Sequence, residues 1–266
     1  MKDHLLQVVA ARPVTERPHA AREYVQLYLL RLLHEQGAMR RLAFLGGMAL
    51  RILHSLPRFS ENLDFCDVTA GGGRPDLPSV PPRLASGLLD AGYAASVKTR
   101  SARNVASWWF RLDALPRDVG WSSDPRLALK VKVEIDLAPP DGAVVETTLV
   151  QRFFPIALRH HDLPSLFAGK LHALLTRPYP KGRDWFDLVW YLTEKHGLAP
   201  NLDLLRNALA QTGHDPSDAH RWRKAARARL KSLDWNSVLR DVKPFLERQS
   251  DLEHLRQDLV DKLLRG

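Results

Sequence analysis

The fold is decided by two neighbouring segments, FLGGMAL at residues 44–50 and RFSENLDF at residues 58–65. The first predicts an apolar strand that turns at a glycine pair into an amphipathic helix, and the second predicts another apolar strand. Because side chains alternate between the two faces of a strand, Asn62 and Asp64 should project together from one face. Leu63 and Phe65 should project from the other face, into a core.

This arrangement predicts a site for nucleotide phosphates. Gly46 and Gly47 let backbone N–H groups approach a phosphate closely, and the N-terminus of the following helix adds a favourable dipole. Oxygen ligands from Asn62 and Asp64 can then hold a divalent cation against the phosphates. The segments therefore indicate nucleotidyl transfer, with Asp64 as the first candidate for a metal ligand. The alternative is that Asp64 is a surface carboxylate at the edge of a strand.

These two segments resemble the AbiEii/AbiGii group of nucleotidyltransferase toxins, within the polymerase-beta-like nucleotidyltransferase superfamily. The resemblance continues in GKLHAL at 169–174, KGRDWFDL at 181–188 and, more weakly, DVKPFL at 241–246. It implies an enzyme that uses Mg²⁺ or Mn²⁺ to transfer a nucleoside monophosphate from an NTP to an acceptor such as tRNA or another RNA. It further implies the toxin of a toxin–antitoxin or abortive-infection pair, with a separately encoded antitoxin as partner.

The sequence departs from the superfamily at one metal position. The resemblance implies carboxylates at both positions of the motif, whereas this chain has Asn62 before Asp64. An asparagine offers a carbonyl oxygen but no charge. Two interpretations remain open: a Mg²⁺-dependent nucleotidyltransferase, or a catalytically weakened protein of the same fold that binds nucleotide or RNA.

A third carboxylate is expected from a later strand. Residues 127–137 alternate between apolar and charged side chains, which places Glu134 and Asp136 on one face. The resemblance implies a third carboxylate on such a strand, and Asp136 is the candidate for metal ligand or base. The alternative is that Glu134 and Asp136 pair with Lys130 and Lys132 across a solvated face.

Two further motif segments contain candidate site residues. Lys170 lies on an otherwise apolar predicted helix, where it would either contact a triphosphate or extend along the helix to solvent. The resemblance implies a catalytic role for Asp184, whereas the helix dipole alone would make it an N-terminal cap. We expect Asp187 to pair with Arg183. The predicted nucleotide-binding residues are Gly46, Gly47, Arg58, Ser60, Lys170 and Arg183.

The chain is strongly basic, with a net charge of +9 and a pI near 9.9, which favours a polyanionic partner. Six cations fall within residues 221–231, where a helix would bury Trp222, Ala226 and Leu230. The remaining face is either solvated or in contact with an RNA backbone. The residues predicted to bind nucleic acid are Arg223, Lys224, Arg227 and Lys231.

The pattern as a whole predicts an α+β fold: a mixed sheet with flanking helices, followed by a helical C-terminal part. We expect a core domain at residues 1–160 and a helical domain at 161–266 that forms the other wall of a cleft. No apolar run is long enough to span a membrane, and Cys66 is the single cysteine, so a cytoplasmic location is expected. Strands are predicted at 41–45, 61–68, 94–98, 105–112, 127–137 and 144–154. Helices are predicted at 21–36, 48–54, 82–90, 163–176, 185–195, 202–211, 218–230, 235–248 and 251–264, with a loop at 70–82.

Overall fold

The structure, a computed structural model, describes residues 1–68 and 76–266. Residues 70–75 of the predicted loop therefore lie outside the described residues. The strands are β1 (Leu42–Leu45), β2 (Asn62–Asp67), β3 (Ala94–Ser101), β4 (Val105–Asp113), β5 (Leu129–Asp136), β6 (Val145–Gln151) and β7 (Pro155–His161). The helices are α1 (Lys2–Ala10), α2 (Arg17–Glu35), α3 (Gly46–His54), α4 (Val80–Asp90), α5 (Leu115–Asp118), α6 (Leu163–Thr176), α7 (Gly182–Glu194), α8 (Leu202–Gln211), α9 (Trp222–Lys231), α10 (Trp235–Val242) and α11 (Gln257–Leu263).

The seven strands form one mixed sheet in the order β3-β4-β5-β2-β1-β7-β6. β2 is antiparallel to β1 and parallel to β5, and β4 is antiparallel to both β3 and β5. β1 and β7 are parallel. This architecture confirms the α+β prediction.

The sheet is amphipathic, as the alternating sequences predict. On β2, Leu63 and Phe65 are buried while Asn62 and Asp64 are partly exposed. On β5, the apolar positions from Leu129 to Ile135 are buried and the charged positions between them are not. α2 contacts β5 and α4 contacts β3, and their buried side chains add to the apolar core.

The chain divides into two compact units. The first unit comprises residues 1–49, 60–138 and 147–160, which include most of the sheet. The second unit comprises residues 50–59, 139–146 and 161–266. Two short segments, 50–59 and 139–146, thus join the helical unit, although they precede residue 161 in the chain.

Several element boundaries differ from prediction, mostly beside prolines. The predicted strand at 144–154 ends at Gln151, and β7, which was not predicted, begins at Pro155. The helix predicted at 235–248 ends at Val242, before a 3₁₀ turn over Lys243–Phe245, because Pro244 has no N–H to continue the helix. The helices predicted at 218–230 and 251–264 likewise begin later, as α9 and α11, after 3₁₀ turns. α1 was also missed.

Two further observations concern membrane-spanning helices and the single cysteine. Within residues 1–68 and 76–266, no helix is both long enough and apolar enough to cross a membrane. Cys66 is buried on β2, and this burial, with the nearby carboxylates of Asp136 and Asp67, raises the pKa of its thiol to about 12. The thiol is therefore a packing group rather than a nucleophile.

Candidate active site

The turn from β1 into α3 brings Gly46 against Asp64. Gly46 has φ +78°, in the left-handed region that glycine adopts readily, and it begins the helix. A Cβ atom at this position would lie 2.5 Å from Oδ2 of Asp64. Leu45 and Asp64 are register partners across β1 and β2. The Asp64 carboxylate therefore lies directly beside the N-terminus of α3, where only glycine leaves room for it.

The register of β2 and β5 determines which carboxylate lies next to Asp64. Asp64 is opposite Glu134 in this parallel pair, and Asn62 is opposite Lys132. Register partners project to the same face of a sheet, so Asp136, two residues after Glu134, also lies on this face. We call Gly46, Asn62, Asp64, Glu134 and Asp136 the sheet site. The sequence favours Asp136 as the third carboxylate, whereas the register partner of Asp64 is Glu134.

Glu134 and Asp136 have different environments. Glu134 forms an ion pair with Lys132, so the predicted alternative of pairing along the strand describes this residue. Asp136 instead accepts a hydrogen bond of 3.0 Å from the backbone N–H of Ala138. Burial raises the pKa of Asp136 above its ordinary value, the Ala138 N–H opposes this rise, and the charge of Glu134 adds to it. Asp136 is therefore a stronger base than an ordinary aspartate.

The sheet site fits a cation that arrives with a nucleotide. Its side chains offer carboxylate and carboxamide oxygens, the ligands that Mg²⁺ and Mn²⁺ prefer. Among the residues that the structure describes, no group of three or more His, Cys, Asp or Glu side chains is placed to hold a metal by itself. Asp64, Asn62 and Asp136 would thus supply part of a coordination shell, with phosphate and water oxygens completing it.

The second unit contains a compact set of ion pairs around α6 and α7. The guanidinium of Arg58 donates two hydrogen bonds to Asp187, from Nε to Oδ1 and from Nη2 to Oδ2, both 2.6 Å long. Nζ of Lys170 lies 2.7 Å from Oδ2 of Asp187 and 3.5 Å from Oδ1 of Asp184. Arg177 completes the set through its own pair with Asp184. We call these five residues the ion-pair cluster.

Burial and pairing stabilise the charged forms in this cluster. The side chains of Arg58 and Asp187 are 2% and 0% exposed. Burial alone would raise the pKa of Asp187, but the charges of Arg58 and Lys170 and their hydrogen bonds hold it below its ordinary value. Burial would lower the pKa of Arg58, and the charge of Asp187 holds it above its ordinary value. Both groups therefore remain ionised in the folded protein.

These contacts correct three predictions. Arg58 is enclosed, and its guanidinium donates to Asp187 and to the carbonyl of Phe59, so it does not offer its N–H groups to a phosphate. Asp187 pairs with Arg58 and Lys170 rather than with Arg183, whose guanidinium lies 4.1 Å from the ring centroid of Phe245. Lys170 does not extend to solvent, because two carboxylates hold its ammonium group.

Asp184 occupies the third position of α7, and Lys181 is the N-terminal cap, so the capping alternative for Asp184 is wrong. Its carboxylate instead joins Lys170 to Arg177. Ser60 is half-buried, and its carbonyl accepts a hydrogen bond of 3.1 Å from Nε2 of Gln26. Ser60 and Arg183 thus belong to neither the sheet site nor the ion-pair cluster.

The motif segments of the second unit contact one another. A Cβ atom on Gly182 would lie 1.9 Å from the carbonyl oxygen of Val238, so glycine allows α7 to pack against α10. The backbone N–H of Phe59 donates a hydrogen bond of 2.7 Å to the carbonyl of Phe245, and Arg58 forms a β-bridge with Leu246. Residues 58–59, 181–188 and 241–246 therefore share a structural reason for their sequence: they position the ion-pair cluster.

The basic helix α9 packs against α11. Its buried stripe of Trp222, Ala226 and Leu230 is confirmed. Two of the four residues predicted to bind nucleic acid hold α11 instead: Arg223 donates to the carbonyl of Leu263, and Arg227 pairs with Asp261 at 2.9 Å. The other two, Lys224 and Lys231, are exposed.

Comparisons with known proteins agree with this fold. The family described as nucleotidyl transferase AbiEii toxin, type IV TA system, matches residues 28–262. JHP933 from Helicobacter pylori is similar in structure, with a TM-score of 0.51 and 19% identity over 91% of this chain and 90% of that one. A proposed nucleotidyltransferase from H. pylori has a TM-score of 0.48 and 20% identity over 90% and 94% of the two chains. An antigenic nucleotidyltransferase-like protein from Paracoccidioides brasiliensis has a TM-score of 0.42 and 15% identity over 76% and 91%. A search of curated proteins gave no significant match.

Proposed function

This chain belongs to the family of AbiEii nucleotidyl transferase toxins of type IV toxin–antitoxin systems, and from this premise we propose that it transfers a nucleoside monophosphate from an NTP to an RNA acceptor, with tRNA as a candidate. The observation that carries the proposal is the contact of Asp64 with Gly46 at the start of α3. A carboxylate beside a glycine-led helix N-terminus combines a ligand for a cation with backbone N–H groups for phosphates.

The proposed roles in the sheet site follow from its chemistry. Backbone N–H groups at Gly46 and Gly47 bind phosphate oxygens, while Asp64, Asn62 and Asp136 hold Mg²⁺ or Mn²⁺. When bound, the cation neutralises charge on the phosphates during transfer. As an alternative to binding the cation, Asp136 accepts the proton of the attacking acceptor hydroxyl. A bond forms between the acceptor oxygen and the α-phosphorus, the α–β phosphoanhydride bond breaks, and pyrophosphate leaves.

In the second unit, we assign Lys170 to the triphosphate, as the family resemblance implies. The ion-pair cluster has three cations against two carboxylates, so one positive charge is in excess. Arg58 is enclosed, whereas Lys170 and Arg177 retain 14% and 40% of their side-chain exposure. The excess charge is therefore available at these two side chains, with Asp184 between them and Arg58 acting as a positioning residue through Asp187.

The family membership implies an antitoxin as partner. We propose that the antitoxin is separately encoded and that the chain acts in the cytoplasm, where NTPs and RNA are available. A second candidate function is binding of nucleotide or RNA without efficient turnover. The presence of Asn62 at a position where the superfamily implies a carboxylate favours this candidate, because it removes one charge from the cation site.

Paired isotope labels test the reaction type. The purified protein would be incubated with total RNA, Mg²⁺ and each NTP labelled with ³²P at either the α- or the γ-phosphate. Nucleotidyl transfer predicts that the α-label appears on RNA, that the γ-label appears only in pyrophosphate, and that EDTA removes both signals. γ-Label on RNA would identify phosphoryl transfer instead. NTP or RNA binding without any transfer of label would favour the second candidate.

A further inference from the structure

A row of aligned residues extends from the sheet site toward the edge of the sheet. Lys98 on β3 is the register partner of Trp109 on β4, and Trp109 is the partner of Lys132 on β5, which in turn faces Asn62. The next row places Arg100, Ser107, Glu134 and Asp64 side by side, and a third row places Ser96, Arg111 and Lys130 together. Register partners share a face, so these rows form one surface with Asp64. We call Lys98, Arg100, Trp109, Arg111, Lys130 and Lys132 the basic sheet face.

The aromatic ring in this face is presented to the polar side of the sheet. Trp108 is only 3% exposed and belongs to the apolar core, whereas Trp109 projects to the other face and is partly exposed. Nζ of Lys132 lies 5.5 Å from the ring centroid of Trp109. An ammonium group over a ring shows that the π face borders the polar surface, because a hydrated cation does not enter the core. A flat, electron-rich surface is thus available among cations.

The charges of this face are arranged around the ring. Lys98, Arg100 and Lys130 are exposed, on the two strands that flank Trp109. Besides Asp136, two carboxylates lie on this face of β4 and β5. Asp113 pairs with Arg111 at 2.7 Å, and Glu134 pairs with Lys132. The exposed charge that remains on the face is therefore positive. This differs from α9, where Arg223 and Arg227 are committed to α11.

We propose that the basic sheet face binds single-stranded nucleic acid, with one base stacked on Trp109 and the phosphates on Lys98, Arg100 and Lys130. Cations combined with an aromatic platform are the chemistry that single strands require. A duplex would meet the cations only, because its bases are stacked internally and do not reach a ring on a sheet. Lys132 turns from the ring to a phosphate as the base takes its place.

This inference rests on the proposed function in one respect: it makes the bound strand the acceptor. Neighbouring strands are about 4.8 Å apart, so Trp109 and Asn62, which are separated by β5, are roughly 10 Å apart across the sheet. A nucleotide stacked on Trp109 therefore places the next one or two nucleotides of its strand beside Asp64. In this proposal, the acceptor that the basic sheet face presents to the sheet site is single-stranded nucleic acid.

Fluorescence anisotropy with a labelled single-stranded RNA oligonucleotide tests the proposal without NTP and in EDTA, so its outcome does not depend on transferase activity. Trp109→Ala should weaken binding roughly 5- to 100-fold, whereas Trp109→Phe should retain most of the affinity. Lys98→Ala combined with Arg100→Ala changes only exposed positions, so the test does not depend on how Trp109→Ala folds. This double variant should reduce the slope of log K against log[salt] by about 1.4.

Matched controls and competing ligands complete the experiment. Arg83→Ala, on the exposed side of α4, and Lys262→Ala, on α11, each remove one exposed cation and should leave the affinity unchanged. Single-stranded DNA of the same sequence should also bind, and its affinity should fall in Trp109→Ala. If only RNA binds, and this binding is lost in Trp109→Ala, the result would support the proposal with RNA as the ligand. Equal affinity for duplex RNA, or full affinity in both Trp109→Ala and the double variant, would overturn it. Binding of polyglutamate in place of nucleic acid, lost in the double variant, would assign the face to an acidic protein and also overturn it.

Discussion

The sheet site and the ion-pair cluster are both built from charged residues of recognisable motifs, but their physical states are opposite. Asp64 and Asn62 are partly exposed and are positioned by strand register and by a glycine turn. Arg58 and Asp187 are enclosed and make two short hydrogen bonds to each other. The first set lies at a partly exposed surface that a ligand can reach, whereas Arg58 and Asp187 are enclosed within their unit.

This difference separates residues that act on a ligand from residues that position others. A carboxylate at a partly exposed strand position contributes little to packing, so its removal should affect chemistry more than stability. A buried carboxylate with two cationic partners contributes to the integrity of its unit, and its removal leaves buried charges uncompensated. Sequence motifs alone do not make this distinction, because both kinds of residue lie within them.

The largest effect on stability is expected for Asp187→Ala. Removing this carboxylate leaves the buried guanidinium of Arg58 without its partner, which should lower the free energy of unfolding by about 3–5 kcal/mol. Asp203→Ala is the matched control, because Asp203 is 75% exposed and pairs only at the surface. Urea denaturation of both variants measures the difference. Equal midpoints for the two variants would contradict the assignment of Arg58 and Asp187 as a structural pair.

Lys170→Ala should weaken NTP binding by about 1.5–3 kcal/mol, since it removes a charge-assisted contact with the triphosphate. Lys262→Ala, an exposed lysine on α11, serves as the control for the loss of one positive charge. Isothermal titration with each NTP measures the affinities. Unchanged affinity in Lys170→Ala, with an altered melting temperature, would place Lys170 among the structural members of the cluster.

The buried pair should also appear in the pH dependence of stability. The pKa of Asp187 is lower when folded than its ordinary value of 3.8, so its stabilisation is complete above that pH. The stabilisation is lost as the pH falls from about 4 through the lowered pKa. The stability difference between wild type and Asp187→Asn should therefore be constant at neutral pH and shrink below about pH 4. Urea titrations across this range measure it, and a difference that does not change with pH would show that Asp187 is not held ionised by its partners.

The smallest expected effect belongs to Asn62→Asp. The two side chains are nearly isosteric, and the new charge would share a face with Asp64, where a cation neutralises both. A tenfold gain in Mg²⁺ affinity corresponds to about 1.4 kcal/mol, or roughly 3–6 °C of additional metal-induced stabilisation. Thermal melts of both proteins with Mg²⁺ and with EDTA compare the shifts. If Mg²⁺ shifts both melting curves equally, Asn62 lies outside the cation site.

The sequence predicted which strand faces and which turn form the sheet site, because both are identified by local sequence patterns. Alternation on β2 and β5 identifies the faces of Asp64 and Asp136, and the glycine pair identifies the turn into α3. The pairing of Arg58 with Asp187 was not predictable in this way, since 129 positions separate them and the pair depends on tertiary packing. For the same reason, the pairing of Glu134 with Asp64 and the position of Trp109 beside the site were not predicted, since the sequence of a single strand does not determine its register with the next strand.

Element boundaries in the helical unit show a second limit. Helices α6 and α8 match their predicted bounds, because apolar periodicity continues to both ends and side chains cap the starts. The basic run at 221–231 was predicted to form a face that is either solvated or in contact with RNA, and Arg227 pairs with Asp261 on α11. Charge density in a sequence predicts a helix surface, but only the packing partner determines whether that surface remains open to a ligand.

The central claim is that the sheet site performs nucleotide transfer, and a comparison of wild type with Asp64→Ala tests it most directly. Both proteins would be given α-³²P-labelled NTP, Mg²⁺ and RNA after circular dichroism and thermal melting have shown equal folding. We expect labelled RNA with wild type, at least about a hundredfold less with Asp64→Ala, and melting temperatures within about 2 °C of each other. Undiminished labelling by the folded Asp64→Ala variant would contradict the account, because the chemistry would then take place without the carboxylate on which the sheet site is built.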